Sequence, residues 1–265
     1  MRDLSRRSAL VAGMVALTGA GGGFSMVEAG ILPGRYRLAP YLGKCGDLPG
    51  LPRVQPGPVR QLASTPTRVV VGFPPGATKG LPVVVMLHGS AGDARTPFDA
   101  YGIHYYLADA VRRGTPPFAV AAVDDWAGPD GMPSPWLTRD LLPLLAGEGL
   151  ETRRIGILGW SIGGRGALWY AAGLGRARVA VVAAASPALS QSDTVALPAK
   201  LAGIPASLTC GRDDQLSDLT AKLLARLRDG GRTEVTGGIF AGCHDTAFRR
   251  RMLPRQIPFL GTHSV

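Results

Sequence analysis

The sequence predicts one α/β domain, built on a mostly parallel central sheet with helices on both faces. Short, nearly continuous apolar runs alternate with helical patterns, as in a sheet buried on both sides. Each residue singled out below for catalysis falls just after such a run, where chemistry sits in open α/β sheets. The size suits this fold: 265 residues, 46% hydrophobic and 18% charged, can bury one full core.

Residues 1–24 read as a targeting segment. Arg2, Arg6 and Arg7 precede a mildly apolar run, Ala9–Leu17, and a small-residue stretch rich in glycine. The run is shorter than the ~20 apolar residues of a membrane span. The block Leu4–Leu10 resembles a twin-arginine export signal, which predicts an extracellular, periplasmic or cell-envelope location. Residues 25–65 are rich in Pro and Gly and read as a lead-in wrapping the surface of a catalytic domain at 66–265.

Strands are expected at Arg68–Phe73, Val83–Leu87, Phe118–Val123, Arg154–Leu158, Val179–Ala184, Ala206–Cys210 and Glu234–Phe240. Helices are expected at Tyr105–Arg112, Trp136–Leu145 (interrupted or started by Pro143), Ile162–Leu174, Leu216–Arg228 and Thr246–Leu260.

The formal charge of +10 would suit nucleic acid or an anionic surface. The basic residues are scattered, mostly Arg, and form no block with interleaved aromatics, which argues against nucleic acid. A weak association with an anionic cell envelope stays open.

The stretch Gly159-Trp160-Ser161-Ile162-Gly163 lies between an expected strand and an expected helix. A sharp turn there strains the Ser161 backbone, and the flanking glycines remove Cβ atoms that would clash. Ser161 is the candidate nucleophile, and the Ile162 N–H is a candidate oxyanion donor. A serine hydroxyl needs a base. Of the four histidines, His88 precedes the serine, His104 sits in or beside a helix and His263 is near the C-terminus. His244 follows the last expected strand, giving the order serine, acid, histidine.

Asp213 and Asp214 follow strand Ala206–Cys210. The Gly-x-x-Asp spacing from Gly211 selects Asp214 as the acid, with Asp213 second; either one would also cap the next helix. The loop His88-Gly89-Ser90 offers the Ser90 N–H as second oxyanion donor, and His88 itself reads as a packing or hydrogen-bonding residue. The three cysteines, Cys45, Cys210 and Cys243, match no zinc spacing. Cys210 and Cys243 either pair with each other or stay as two buried free thiols, and the second is the plainer expectation.

Several stretches together resemble a known group of α/β-hydrolase esterases. They are Leu-Pro-Gly-Arg at 32–35, Pro-Gly-Pro-Val at 56–59, Val-Met-Leu-His-Gly-Ser-Ala-Gly-Asp at 85–93, Leu-Gly-Trp-Ser-Ile-Gly-Gly at 158–164, Cys-Gly-Arg-Asp-Asp at 210–214 and His-Asp-Thr-Ala-Phe-Arg-Arg-Arg-Met-Leu-Pro at 244–254. The group includes antigen 85 mycolyltransferases, esterase D and S-formylglutathione hydrolase, and the chain looks most like its twin-arginine-exported actinobacterial members. The resemblance implies the α/β-hydrolase fold and ester or acyl-transfer chemistry on a small-molecule or lipid ester, with no metal and no cofactor. The sequence departs from the group at Gln215, often Pro, at Cys243, usually Gly, and in the short segment Ser186–Pro205, which implies a short or absent cap. The expected activity is carboxylic ester hydrolysis through an acyl-enzyme. The alternatives are an acyltransferase onto a sugar or lipid hydroxyl and a non-catalytic envelope-binding protein on the same fold.

Overall fold

The computed structural model describes residues 34–63, 67–127 and 134–264, so the leader at 1–24 lies outside the described residues. One sheet holds eight strands in the order β1-β2-β4-β3-β5-β6-β7-β8. They are β1 (Val59–Ala63), β2 (Val69–Gly72), β3 (Pro82–Leu87), β4 (Ala119–Val123), β5 (Glu151–Trp160), β6 (Val179–Ala185), β7 (Ala206–Gly211) and β8 (Val235–Phe240). From β3 to β8 every pairing is parallel, while β2 runs antiparallel to both β1 and β4. The seven strands expected from the apolar runs are all present. β1 is additional and falls inside the Pro/Gly-rich lead-in, so that stretch supplies one of the sheet's two edge strands.

The strands β2, β3, β4 and β6 are almost wholly apolar because both of their faces are covered. Val83, Val85 and Leu87 of β3 enter one core, while Val84 and Met86 enter the other. The first core is closed by α4 (Leu142–Gly147), α5 (Ile162–Leu174), α6 (Gln191–Lys200) and α7 (Ser217–Asp229). The second is closed by α3 (Ile103–Arg112) and α8 (Thr246–Ser264), with the short helix α2 (Thr96–Asp99) at its rim. A further short helix, α1 (Arg35–Leu38), begins the described chain.

Three local differences from the sequence pattern have physical reasons. The helix expected over Trp136–Leu145 is a π-turn, Leu137–Leu141, leading into α4. Pro143 lacks the N–H that a regular helix would direct at the Arg139 carbonyl, so the ladder is reset there. The segment Ser186–Pro205 contains α6, which opens with reciprocal bonds: the Asp193 N–H donates to Ser190 Oγ (3.2 Å) and the Ser190 N–H to Asp193 Oδ2 (2.8 Å). Helix α8 runs past Pro254 and Pro258 and beyond the expected Leu260 to Ser264, so His263 lies in its last turn.

The chain order reverses across β3. It steps from β3 to β4 on one side and then returns to β5 on the other. The loops leaving β3 and β5 therefore face each other over a crevice at their carboxyl ends, the usual ligand position in such sheets.

Candidate active site

Ser161 sits at the crevice, in the turn between β5 and α5. Its backbone is in a region L residues rarely adopt, φ 57° and ψ −120°. The conformation is held by the Ser161 N–H bonded to the Ala185 carbonyl (3.1 Å) and by the Ser161 carbonyl, which accepts from Arg165 (3.1 Å) and Ala188 (3.0 Å). Only glycine fits on either side of the turn. A Cβ at Gly159 would lie 2.0 Å from the Gly163 carbonyl oxygen, and one at Gly163 would lie 2.3 Å from the Leu87 and His88 carbonyl oxygens. Among the described residues Ser186 is the other non-glycine with positive φ, at 45°. It follows the adjacent strand, so two neighbouring strand ends are strained at the same site.

His244 and Asp214 come to Ser161 from the loops after β8 and β7. The Asp213 N–H donates to the Gly242 carbonyl (2.9 Å), which ties these two loops together. His244 Nδ1–H donates to Asp214 Oδ2 (2.8 Å), and the Ser161 hydroxyl donates to His244 Nε2 (3.1 Å). An ionised carboxylate only accepts, so the proton belongs on Nδ1 and the Nε2 lone pair faces the serine. Asp214 is buried at 3% exposure. Burial alone would raise its pKa, but hydrogen bonds from His244, the Ser186 hydroxyl and the Leu216 N–H hold it below the usual carboxylate value. Asp214 thus orients the imidazole with one oxygen and satisfies the turn before α7 with the other. Asp213 is also buried, and both ring nitrogens of His244 are taken up by Asp214 and Ser161.

The two candidate oxyanion donors lie on the expected loops. Ile162 is the first residue of α5, whose leading N–H groups have no intrahelical partner. Ser90 lines a cavity of ≈ 320 Å³ that also touches Gly89, Thr96, Tyr101, Trp160, Ser161 and His244. A Cβ at Gly89 would sit 3.0 Å from the Trp160 ring and 3.4 Å from the Ser161 Cβ, so a larger residue there would crowd the nucleophile. His88 is a structural residue, as its position suggested. Its ring nitrogens face the Gly89 and Asp124 carbonyls at 2.7 and 2.8 Å, and its ring stands edge-on to Trp126. Asp124 in turn accepts the Ala94 N–H (2.7 Å), which fixes the loop carrying Ser90.

Two features were not anticipated. The Trp160 ring stacks on the His244 ring with centroids 4.6 Å apart and planes 28° from parallel. The expectation for the cysteines is corrected: Cys243 is disulfide-bonded to Cys45, and Cys210 is the one buried free thiol. The reason is spatial. The lead-in wraps back to the His244 loop, where Arg251 donates to the Cys45 carbonyl (2.7 Å) and Arg250 to the Pro49 carbonyl (3.1 Å). Burial and the nearby Asp214 charge push the Cys210 thiol up to about 12, so it is chemically quiet. Among the described residues the potential metal ligands Cys45, Cys243 and Asp245 lie within 4.8 Å of one another, but the two sulfurs are bonded to each other and supply no thiolate.

No protein-family model matches the sequence, and no curated protein is similar enough to match. Solved structures with the same architecture include a ferulic acid esterase, with a TM-score of 0.66 and 19% identity over 77% of this chain and 97% of that one. S-formylglutathione hydrolase from Staphylococcus aureus has a TM-score of 0.59 and 16% identity over 81% of this chain and 99% of that one. An enterobactin esterase from Shigella flexneri has a TM-score of 0.62 and 18% identity over 79% of this chain and 61% of the other. At these identities the likeness speaks to architecture, and the chain has the α/β-hydrolase fold.

Proposed function

We propose that the chain is an exported serine carboxylesterase that cleaves small esters through an acyl-enzyme intermediate. The observation that carries this reading is the hydrogen-bonded series from Asp214 through His244 to Ser161, with the serine on a strained turn at a helix N-terminus. A hydroxyl paired with an imidazole whose other nitrogen is held by a buried carboxylate is an activated nucleophile.

In the first step His244 Nε2 takes the Ser161 proton as Oγ attacks the ester carbonyl. Asp214 stabilises the imidazolium that forms, and the Ile162 and Ser90 N–H groups bind the oxyanion. The imidazolium then protonates the leaving alcohol. In the second step His244 activates a water against the acyl-enzyme, and the acid leaves. The cavity of ≈ 320 Å³ is at the small end for ligand sites, and its Tyr101 and Trp160 walls suit a small or planar group. Export is supported by the leader sequence and by the Cys45–Cys243 disulfide, a bond that persists in oxidising compartments.

A fluorophosphonate probe should label Ser161, and Ser161→Ala should lose both labelling and hydrolysis of p-nitrophenyl acetate. Undiminished turnover by folded Ser161→Ala would overturn the assignment.

A further inference from the structure

The basic residues, scattered in sequence, gather in space. In a parallel sheet all the segments that enter the strands share one edge, and here that edge lies opposite Ser161. Arg153 and Arg154 open β5, Arg176 and Arg178 precede β6, Lys200 precedes β7 and Arg232 precedes β8; all six are exposed. They are neighbours through the backbone. The Ile155 N–H donates to the Arg178 carbonyl (2.9 Å), the Gly203 N–H donates to the Arg232 carbonyl (2.7 Å), and the Arg176 side chain passes 3.5 Å from where a Gly203 Cβ would be. None of the six forms an ion pair among the described residues.

At the opposite edge several of the basic side chains are neutralised. There Arg68 meets Asp93 and Asp124, Arg95 meets Asp99, Arg139 meets Asp140 and Arg165 meets Asp193. Over the amino edge these six, with Arg112, Arg113 and Arg228, make nine basic side chains against the five carboxylates Asp109, Glu148, Glu151, Asp229 and Glu234. Two of the nine, Arg112 and Arg113, share Asp109. The other acids lie toward the margins, Glu148 and Glu151 on the β3 side and Asp229 and Glu234 on the β8 side, which leaves the centre basic.

Helix-end electrostatics explain part of this pattern. Arg112, Lys200 and Arg228 stand in the last turns of their helices, where cations offset the macrodipole. They do not explain Arg153 and Arg154, which are on a strand, or Arg176, Arg178 and Arg232, which lie beyond helix ends. We propose that this edge docks on the headgroups of an anionic phospholipid bilayer, with the Ser161 crevice facing away from the surface. Among the described residues the edge carries no exposed aromatic side chain on which unpaired bases would stack, and Phe118 beside it is fully buried. No helix among the described residues is long and apolar enough to cross a membrane, so the attachment is peripheral and electrostatic. A substrate held in that same bilayer would lie on the wrong side of the molecule, so the ester comes from solution or from another surface.

The test is flotation of the full chain with vesicles of phosphatidylcholine alone or with about 30% phosphatidylglycerol, read as binding and thus separate from the hydrolysis proposed above. The chain is expected to bind only the anionic vesicles and to release them as salt rises toward about 0.5 M. Each basic residue near such a surface contributes about fivefold. Arg153→Gln/Arg154→Gln/Arg176→Gln/Arg178→Gln should therefore bind at least about a hundredfold more weakly, with an unchanged thermal midpoint. If that variant does not fold, the loop pair Arg176→Gln/Arg178→Gln should lose roughly twentyfold. Equal binding to neutral vesicles, or variants that bind like the wild type through Arg2, Arg6 and Arg7, would overturn the proposal. So would tighter binding to a single-stranded oligonucleotide than to vesicles, which would assign the edge to nucleic acid.

Discussion

Cys45 is bonded to Cys243, the residue immediately before His244, across 198 positions of sequence. The bond closes nearly the whole described chain into one loop and pins the lead-in against the loop that carries the histidine. Long loops gain most from a cross-link because the unfolded chain loses most freedom.

Removing the bond is expected to act on both stability and turnover. Cys45→Ala/Cys243→Ala should lose about 2–4 kcal/mol, measured as a lower urea midpoint. Because the tether sits one residue from His244, kcat for p-nitrophenyl acetate should fall about tenfold or more, since small misplacements of a catalytic group are costly. Unfolded without reductant, the native chain should expose a single alkylatable thiol, Cys210. Two or three thiols would mean that the tether is absent.

The two neighbouring aspartates are expected to differ sharply. In Asp214→Asn the amide N–H₂ can donate to Nδ1, which moves the imidazole proton to Nε2 and leaves Ser161 without a base; kcat should fall about 10⁴-fold. Asp213→Asn keeps the backbone bond to Gly242 and should stay within about threefold of wild type. The reverse ranking in kcat would transfer the orienting role to Asp213.

Much of this site was legible in the sequence because it depends on local order along the chain. Ser161, Asp214 and His244 each follow an apolar run, and a parallel sheet brings such strand ends together whatever the details of packing. The Ser190-x-x-Asp193 capping signature that opens α6 is likewise local, though α6 was not among the expected helices. β1 was not legible, since its half-exposed edge pattern lacks a continuous apolar run. Nor were the Cys45 partnership and the basic edge. Both join residues far apart in sequence through the path of the chain in space, and spacing along the chain carries no trace of that.

Acid stability is expected to depend on Asp193. This carboxylate, 2% exposed, accepts from Arg165 Nε (2.7 Å), Trp169 Nε1 (3.0 Å) and the Ser190 N–H (2.8 Å). Burial pushes its pKa up, but the bonds from Arg165, Ser190 and Trp169 outweigh it and hold the carboxyl below the usual carboxylate range. A pKa lower in the folded than in the unfolded chain contributes stability that is complete above about pH 4 and is lost as pH falls through the folded value. Asp193→Asn should cost about 2–3 kcal/mol at pH 7 and flatten the fall in stability below pH 4. Superimposable slopes for the two proteins in that range would remove Asp193 from the account.

Arg249 tests how the floor of the site is held. It is fully buried, with its guanidinium over the rings of Tyr101 (5.6 Å) and Trp160 (5.8 Å) and hydrogen bonds to Gln256 Oε1 (3.3 Å) and Met86 Sδ (3.4 Å). No carboxylate pairs with it among the described residues, and its Nε has no partner. Burial lowers its pKa to about 10, which still leaves it charged at neutral pH. A buried cation costs several kcal/mol in desolvation, against about 2 kcal/mol for each desolvated cation–π contact. Arg249→Met, which keeps the apolar length beneath Trp160, should therefore be at least as stable as the wild type in urea unfolding. It should also retain kcat within a few-fold, because the indole that stacks on His244 stays supported. Arg249→Ala, which leaves a void under the same ring, should lose about 3–5 kcal/mol and turnover with it. A Met variant weaker by more than about 2 kcal/mol would show instead that the guanidinium's contacts with the two rings outweigh its burial.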